Sequence, residues 1–152
     1  MQYEDHTCAL QYTVTCDAHW RTRGGTVLGW VGSREVDLTI RVDAAQRWWL
    51  NERPYPELDG CIDVDYGFSP ATNTLPIRRL ALAPRASASV RAAWLQFPSF
   101  QFTALEQTYR AVSPSIMHYE SNGGLFQAEL EIDAHGVVRQ YAGLWTAESP
   151  NQ

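Results

Sequence analysis

At 152 residues the chain has the length of one ordinary domain; about 22% of it is Leu, Ile, Val or Phe, and 6 Trp and 7 Tyr add enough apolar area for a packed core. A net charge of −5, with twelve basic side chains that are all arginine, argues against a nucleic-acid binder held by phosphate contacts. There is no apolar run of the ~18 residues a transmembrane segment needs, and no basic start followed by an apolar stretch, so a cytoplasmic location is the expectation.

Along the chain the dominant period is two. Leu10, Tyr12, Val14 and Cys16 alternate with Gln11, Thr13 and Thr15. Glu35–Val42 is stricter, with Val36, Leu38, Ile40 and Val42 against Glu35, Asp37, Thr39 and Arg41. Phe126, Ala128, Leu130 and Ile132 alternate with Gln127, Glu129 and Glu131. These patterns predict half-buried strands of an antiparallel sheet. Turn signals fall between them, at Arg23-Gly24-Gly25, Val31-Gly32-Ser33, Asp43-Ala44-Ala45, Asn122-Gly123-Gly124 and Asp133-Ala134-His135-Gly136. The neighbours Trp48 and Trp49 must face opposite sides of a strand, which puts one of them on an outer face or rim. Trp20, Trp30, Trp94 and Trp145 fall in strand-like runs. Only Ser99–Arg110 offers room for a short helix, and the alternation of Phe100 with Phe102 suits a strand as well. The predicted fold is all-β: one domain over residues 1–152, a single curled antiparallel sheet, an open half-barrel or spiral roll, with at most one short helix.

Leu58–Leu80 does not read as scaffold. It holds Asp59, Asp63 and Asp65, the pair Arg78-Arg79, and the polar step Thr72-Asn73-Thr74. On a strand Cys61, Asp63 and Asp65 share one face, where two carboxylates repel unless a cation intervenes. An arginine fork from Arg78 or Arg79 can neutralise them, which favours an ion-pair network pinning the segment to the sheet. The functional reading is a polar floor for the head group of a ligand.

Sharper chemistries find little support. Asp63-Val64-Asp65 matches the D-x-D of sugar-nucleotide transferases, but the chain lacks the strand–helix alternation of a nucleotide-binding domain. It also matches the start of a calcium loop, but the glutamate at the twelfth position is missing. There is no G-x-S-x-G, H-E-x-x-H, Walker A or G-x-G-x-x-G motif. Cys8, Cys16 and Cys61 form no CxxC, and His6, His19, His118 and His135 sit in unlike contexts. No metal, cofactor or catalytic residue is assigned on these grounds.

Some longer stretches carry a family resemblance. Tyr12-Thr13-Val14-Thr15-Cys16-Asp17 with Trp20-Arg21-Thr22-Arg23, Gly60-Cys61-Ile62-Asp63-Val64-Asp65, and Pro70-Ala71-Thr72-Asn73-Thr74-Leu75-Pro76-Ile77-Arg78-Arg79-Leu80 are the main ones. Gln107 with Tyr109, Tyr119-Glu120-Ser121, and Asp133 through Gly136-Val137-Val138 with Tyr141 complete the set. The chain resembles the bacterial Putative glycolipid-binding family over residues 12–145. The resemblance implies a β-roll similar in shape to lipoprotein-localisation carriers. It further implies non-enzymatic binding of an amphiphile, a glycolipid-like or acyl compound, on the concave face of the sheet. The residues expected to bind are Asp17, Trp20, Arg21, Asp63, Asp65, Asn73, Arg78 and Arg79. Two alternatives stay open: a small hydrolase or isomerase using the Asp63 and Asp65 carboxylates, and a structural or partner-binding protein without a small ligand. Family members usually carry a further strand ahead of the Tyr12 motif. Its lack would leave Leu10–Cys16 near a sheet edge that a second copy, as a homodimer, could cover.

Overall fold

The alternating segments form strands, as their period requires. The computed structural model describes residues 2–3, 6–141 and 145–146, with two compact units, Met1–Cys61 and Ile62–Gln152. In the first unit the strands are β1 (Gln2–Tyr3), β2 (His6–Cys16), β3 (Thr22–Val31), β4 (Arg34–Val42), β5 (Trp48–Leu50) and β6 (Arg53–Pro54). They form one antiparallel sheet in sequence order. On β4 the alternation is realised, with Val36, Ile40 and Val42 buried and Glu35, Asp37, Thr39 and Arg41 exposed. Trp48 is buried and donates from Nε1 to the Cys61 carbonyl at 3.0 Å; Trp49 faces the other way under the Arg41 guanidinium, 3.9 Å from its ring centre. Among the described residues Leu10–Cys16 pairs with β3 alone, so this stretch is an edge.

β3 approaches β2 unusually closely where Gly29 pairs with Leu10. Gly29 has φ +145°, and a Cβ there would stand 1.9 Å from the Ala9 carbonyl oxygen, so only glycine fits.

The second unit contains β7 (Asp63–Tyr66), α1 (Thr74–Leu80), β8 (Ser87–Leu95), β9 (Phe102–Ser113), β10 (Ile116–Ser121), β11 (Phe126–Ile132), β12 (Val138–Tyr141) and β13 (Trp145–Thr146). Its seven strands form one sheet, antiparallel except for β7, which runs parallel to β8. Ile77 of α1 packs with Tyr109, Ala111, Met117, Tyr119, Leu130 and Val138, so the short helix caps the sheet's apolar face.

The expected single sheet is corrected to two. Pro54 ends the first sheet at its edge, where a residue without an N–H is tolerated, and Pro56–Leu58 forms a 3-10 turn instead of another strand. The wholly antiparallel pairing is corrected as well, by the parallel β7–β8 pair. A return through Pro70–Asn73 and α1 supplies the crossover that parallel strands need. Ser99–Arg110, open between helix and strand, supplies most of β9.

Three turns use one device. At Asp17, Asp43 and Asp133 the Asp carbonyl accepts from the N–H three residues on, at Trp20, Gln46 and Gly136. Those three residues all have positive φ, 62°, 59° and 77°. Each Asp carboxylate accepts from the N–H groups two and four residues on and from a nearby arginine, Arg21, Arg47 or Arg139. This is the turn with a left-handed fourth residue that joins twisted strands, locked by an aspartate.

Candidate functional site

The candidate site lies in the second unit and starts from β7. Asp63 and Asp65 share a face, but their surroundings separate them. Asp63 is buried, and both its oxygens are held by the Arg79 fork, with Nη2 to Oδ2 at 2.8 Å and Nη1 to Oδ1 as the second bond. Loss of water around Asp63 raises its pKa, and the Arg79 hydrogen bonds and charge oppose that rise. Asp65 is half-buried and has no such fork. Its Oδ2 accepts from Gln107 Nε2 at 2.6 Å. Burial, with the Asp63 charge adding to it and the Gln107 hydrogen bond opposing, pushes the Asp65 carboxyl up to about 6.

Gln107 extends this into a network. Its Nε2 also donates to the Tyr119 hydroxyl at 3.0 Å, and Asn73 Nδ2 donates to the Tyr109 hydroxyl at 2.7 Å. Strand register makes the network possible, because Tyr109 on β9 stands opposite Tyr119 on β10 and Gln107 opposite Ser121. Asn73 reaches it from the 3-10 turn, which Ser69 starts by accepting from the Ala71 N–H. Burial raises the hydroxyl pKa of Tyr109, Tyr119 and Tyr141 above the usual tyrosine range, so all three are neutral near pH 7.

Beside this network opens a cavity of about 620 Å³. Its walls are aromatic, from Phe68, Trp94, Tyr119, Phe126 and Tyr141, and its polar groups include Asp65, Asn73 and Ser121. Tyr119, Phe126 and Tyr141 form a triangle of rings with centres 6.1 to 6.3 Å apart. Such a volume, with apolar walls and a few placed polar groups, is that of a small-molecule site. Among the described residues Asp65 is the one charged side chain in the lining. Among the described residues no group of three or more His, Cys, Asp or Glu converges on a point where a metal ion could sit.

The eight residues singled out in the sequence divide by place. Asp65 and Asn73 line the cavity. Asp63 and Arg79 stand beside it as an ion pair, and Arg78 Nε donates to the His135 carbonyl in the β11–β12 turn. Asp17, Trp20 and Arg21 belong to the first unit. There they build the β2–β3 turn, with Arg21 Nε 2.8 Å and Arg23 Nη2 3.1 Å from Asp17 Oδ2. Desolvation works against the Asp17 charge, but the backbone N–H groups of Arg21 and His19 and the Arg21 side chain outweigh it and hold the carboxyl well below the usual range. Sequence reasoning passed over Gln107, Tyr119, Phe126 and Tyr141 as site residues. A buried glutamine two residues from a tyrosine on one strand face is the signal that marks the first of them.

The sequence matches the family described as "Putative glycolipid-binding" over residues 1–147. Among solved structures the chain is similar to a crystal structure of a DUF1089 family protein from Pseudomonas aeruginosa, with 31% identity and a TM-score of 0.87, over 95% of this chain and 80% of that one. No curated protein matches the sequence.

Proposed function

The chain belongs to the Putative glycolipid-binding family, and from that premise we propose that it is a non-catalytic binder of an amphiphile, glycolipid-like or acyl in nature. The observation that carries the reading is the aromatic cavity of about 620 Å³ with Asp65 and Asn73 in its wall. The apolar part of the ligand lies against Trp94, Phe126 and Tyr141. The head group meets Asp65 and Asn73. Each methylene taken from water contributes about 0.8 kcal/mol, so a ten-carbon chain contributes about 8 kcal/mol before the cost of ordering it. The family match through residues 1–147 supports treating the chain as one domain. No helix among the described residues is long and apolar enough to cross a membrane.

Binding accounts for the cavity better than hydrolysis or isomerisation. Glycoside hydrolysis takes two carboxyl groups flanking the scissile bond, and acid–base isomerisation pairs a base with a donor whose proton is readily shared, which tyrosines with raised pKa values supply poorly. Among the described residues the lining offers one carboxylate and tyrosine hydroxyls, and no His, Cys, Glu, Lys or Arg. Native mass spectrometry of the purified protein, followed by denaturing extraction into organic solvent, tests the reading. A defined extra mass that extracts as an amphiphile is expected. A protein that stays apo when offered a range of alkyl glycosides and fatty acids contradicts it.

A further inference from the structure

The cavity is asymmetric in its charge. Among the described residues Asp65 is its one charged lining residue, and its carboxylate accepts a single hydrogen bond, from Gln107 at 2.6 Å. Among the described residues no cation pairs with Asp65. Asn73 stands in the same wall with one N–H already given to the Tyr109 hydroxyl at 2.7 Å, and its amide oxygen takes no hydrogen bond from the described residues. The two arginines of α1 are committed elsewhere: Arg79 forks Asp63, and Arg78 donates to the His135 carbonyl. Neither lines the cavity. Among the described residues the wall thus offers two open acceptors, the Asp65 carboxylate and the Asn73 amide oxygen, and lacks the guanidinium or ammonium that recognises phosphate, sulfate or carboxylate. An anion entering it meets a like charge in a poorly screened space.

We propose that the cavity takes amphiphiles whose head group donates hydrogen bonds and carries no negative charge, and that Asp65 excludes anionic heads. The inference rests on the amphiphile reading above. Two sources supply that chemistry, the hydroxyls of a sugar or polyol and a primary ammonium.

Three probes sharing one ten-carbon chain separate the outcomes: decyl glucoside, decylammonium and decyl sulfate. Each is titrated below its micelle concentration at pH 8 and physiological salt, with tryptophan emission as the readout. Decyl glucoside or decylammonium is expected to bind at least tenfold more tightly than decyl sulfate, and the tighter of the two identifies the source. Decyl sulfate binding as tightly as both overturns the proposal and leaves the amphiphile reading standing. Failure of all three to bind overturns both. Asp65→Asn keeps the shape and removes the charge, so it should raise the affinity for decyl sulfate relative to decyl glucoside at least fivefold. Glu35→Gln, the same charge change at an exposed position on β4, should leave that ratio where it was. Equal ratios in wild type and Asp65→Asn refute the role of Asp65.

Discussion

Replacing Asp65 by asparagine should make the protein more stable, and more so as the pH rises. The Asp65 carboxyl titrates at about 6 in the folded protein against an ordinary value of 3.8. Because the folded value is the higher one, the stability linked to this group is fully present below about pH 3.8 and is lost as the pH rises through 6. At 1.36 kcal/mol per pKa unit the full loss is about 3 kcal/mol, reached above roughly pH 7. Asparagine does not ionise and can still accept from Gln107 through its amide oxygen. The stability of Asp65→Asn relative to wild type should therefore grow by about 2 kcal/mol between pH 4.5 and pH 8. Urea unfolding followed by far-ultraviolet circular dichroism at those two pH values measures the difference. A constant offset, or a variant less stable than wild type at pH 8, refutes the assignment of a strained, ionised carboxylate to this position. A carboxylate kept where it costs stability is what a binding site, rather than a scaffold, requires.

Two further substitutions probe the frame around the site. Arg79→Ala strands the Asp63 carboxylate, whose side chain is 2% exposed, and should cost about 3–5 kcal/mol in urea unfolding. The double change Asp63→Asn with Arg79→Met should recover most of that loss, and a mild effect of Arg79→Ala alone would show that Asp63 finds another partner. Gly29→Ala drives a methyl to 1.9 Å from the Ala9 carbonyl oxygen, which backbone must relieve. It should lower stability by more than about 2 kcal/mol or abolish soluble expression, whereas Gly60→Ala meets no atom within 4 Å and should cost only the strain of its positive φ.

Much of the sheet was legible because period two is a local property. Leu10–Cys16, Glu35–Val42 and Phe126–Ile132 are strands for the reason their residues alternate. The opposition of Trp48 and Trp49 followed from the same geometry. The shared face of Asp63 and Asp65, and an arginine partner for one of them, were also legible, since β7 and α1 are close in sequence. The α1 helix was not. Thr74-Leu75-Pro76-Ile77 has poor helix propensity, and tertiary packing of Ile77 on the sheet overrides it. The partner of Asp65 was not legible either, because Gln107 lies 42 residues away and meets it only through the register of β7, β8 and β9. The repeated turn went unnoticed as a repeat. Its fourth position holds Trp20, Gln46 or Gly136, which share a backbone conformation and no side-chain chemistry. In the first of these turns the Asp17 carboxylate and the Arg21 guanidinium pair at 2.8 Å and hold the hairpin closed.

The central claim is that the aromatic cavity holds the amphiphile, and blocking that cavity tests it most directly. Ala104 lines it and is half-buried, so Ala104→Trp fills the space from the wall while leaving Asp65 and its hydrogen bonds in place. Isothermal titration of the tighter-binding of decyl glucoside and decylammonium into wild type and Ala104→Trp, with circular dichroism to confirm the fold, gives the comparison. The account predicts binding to wild type and at least a tenfold loss in the variant. Equal affinity in both would place the ligand outside the cavity and contradict the account.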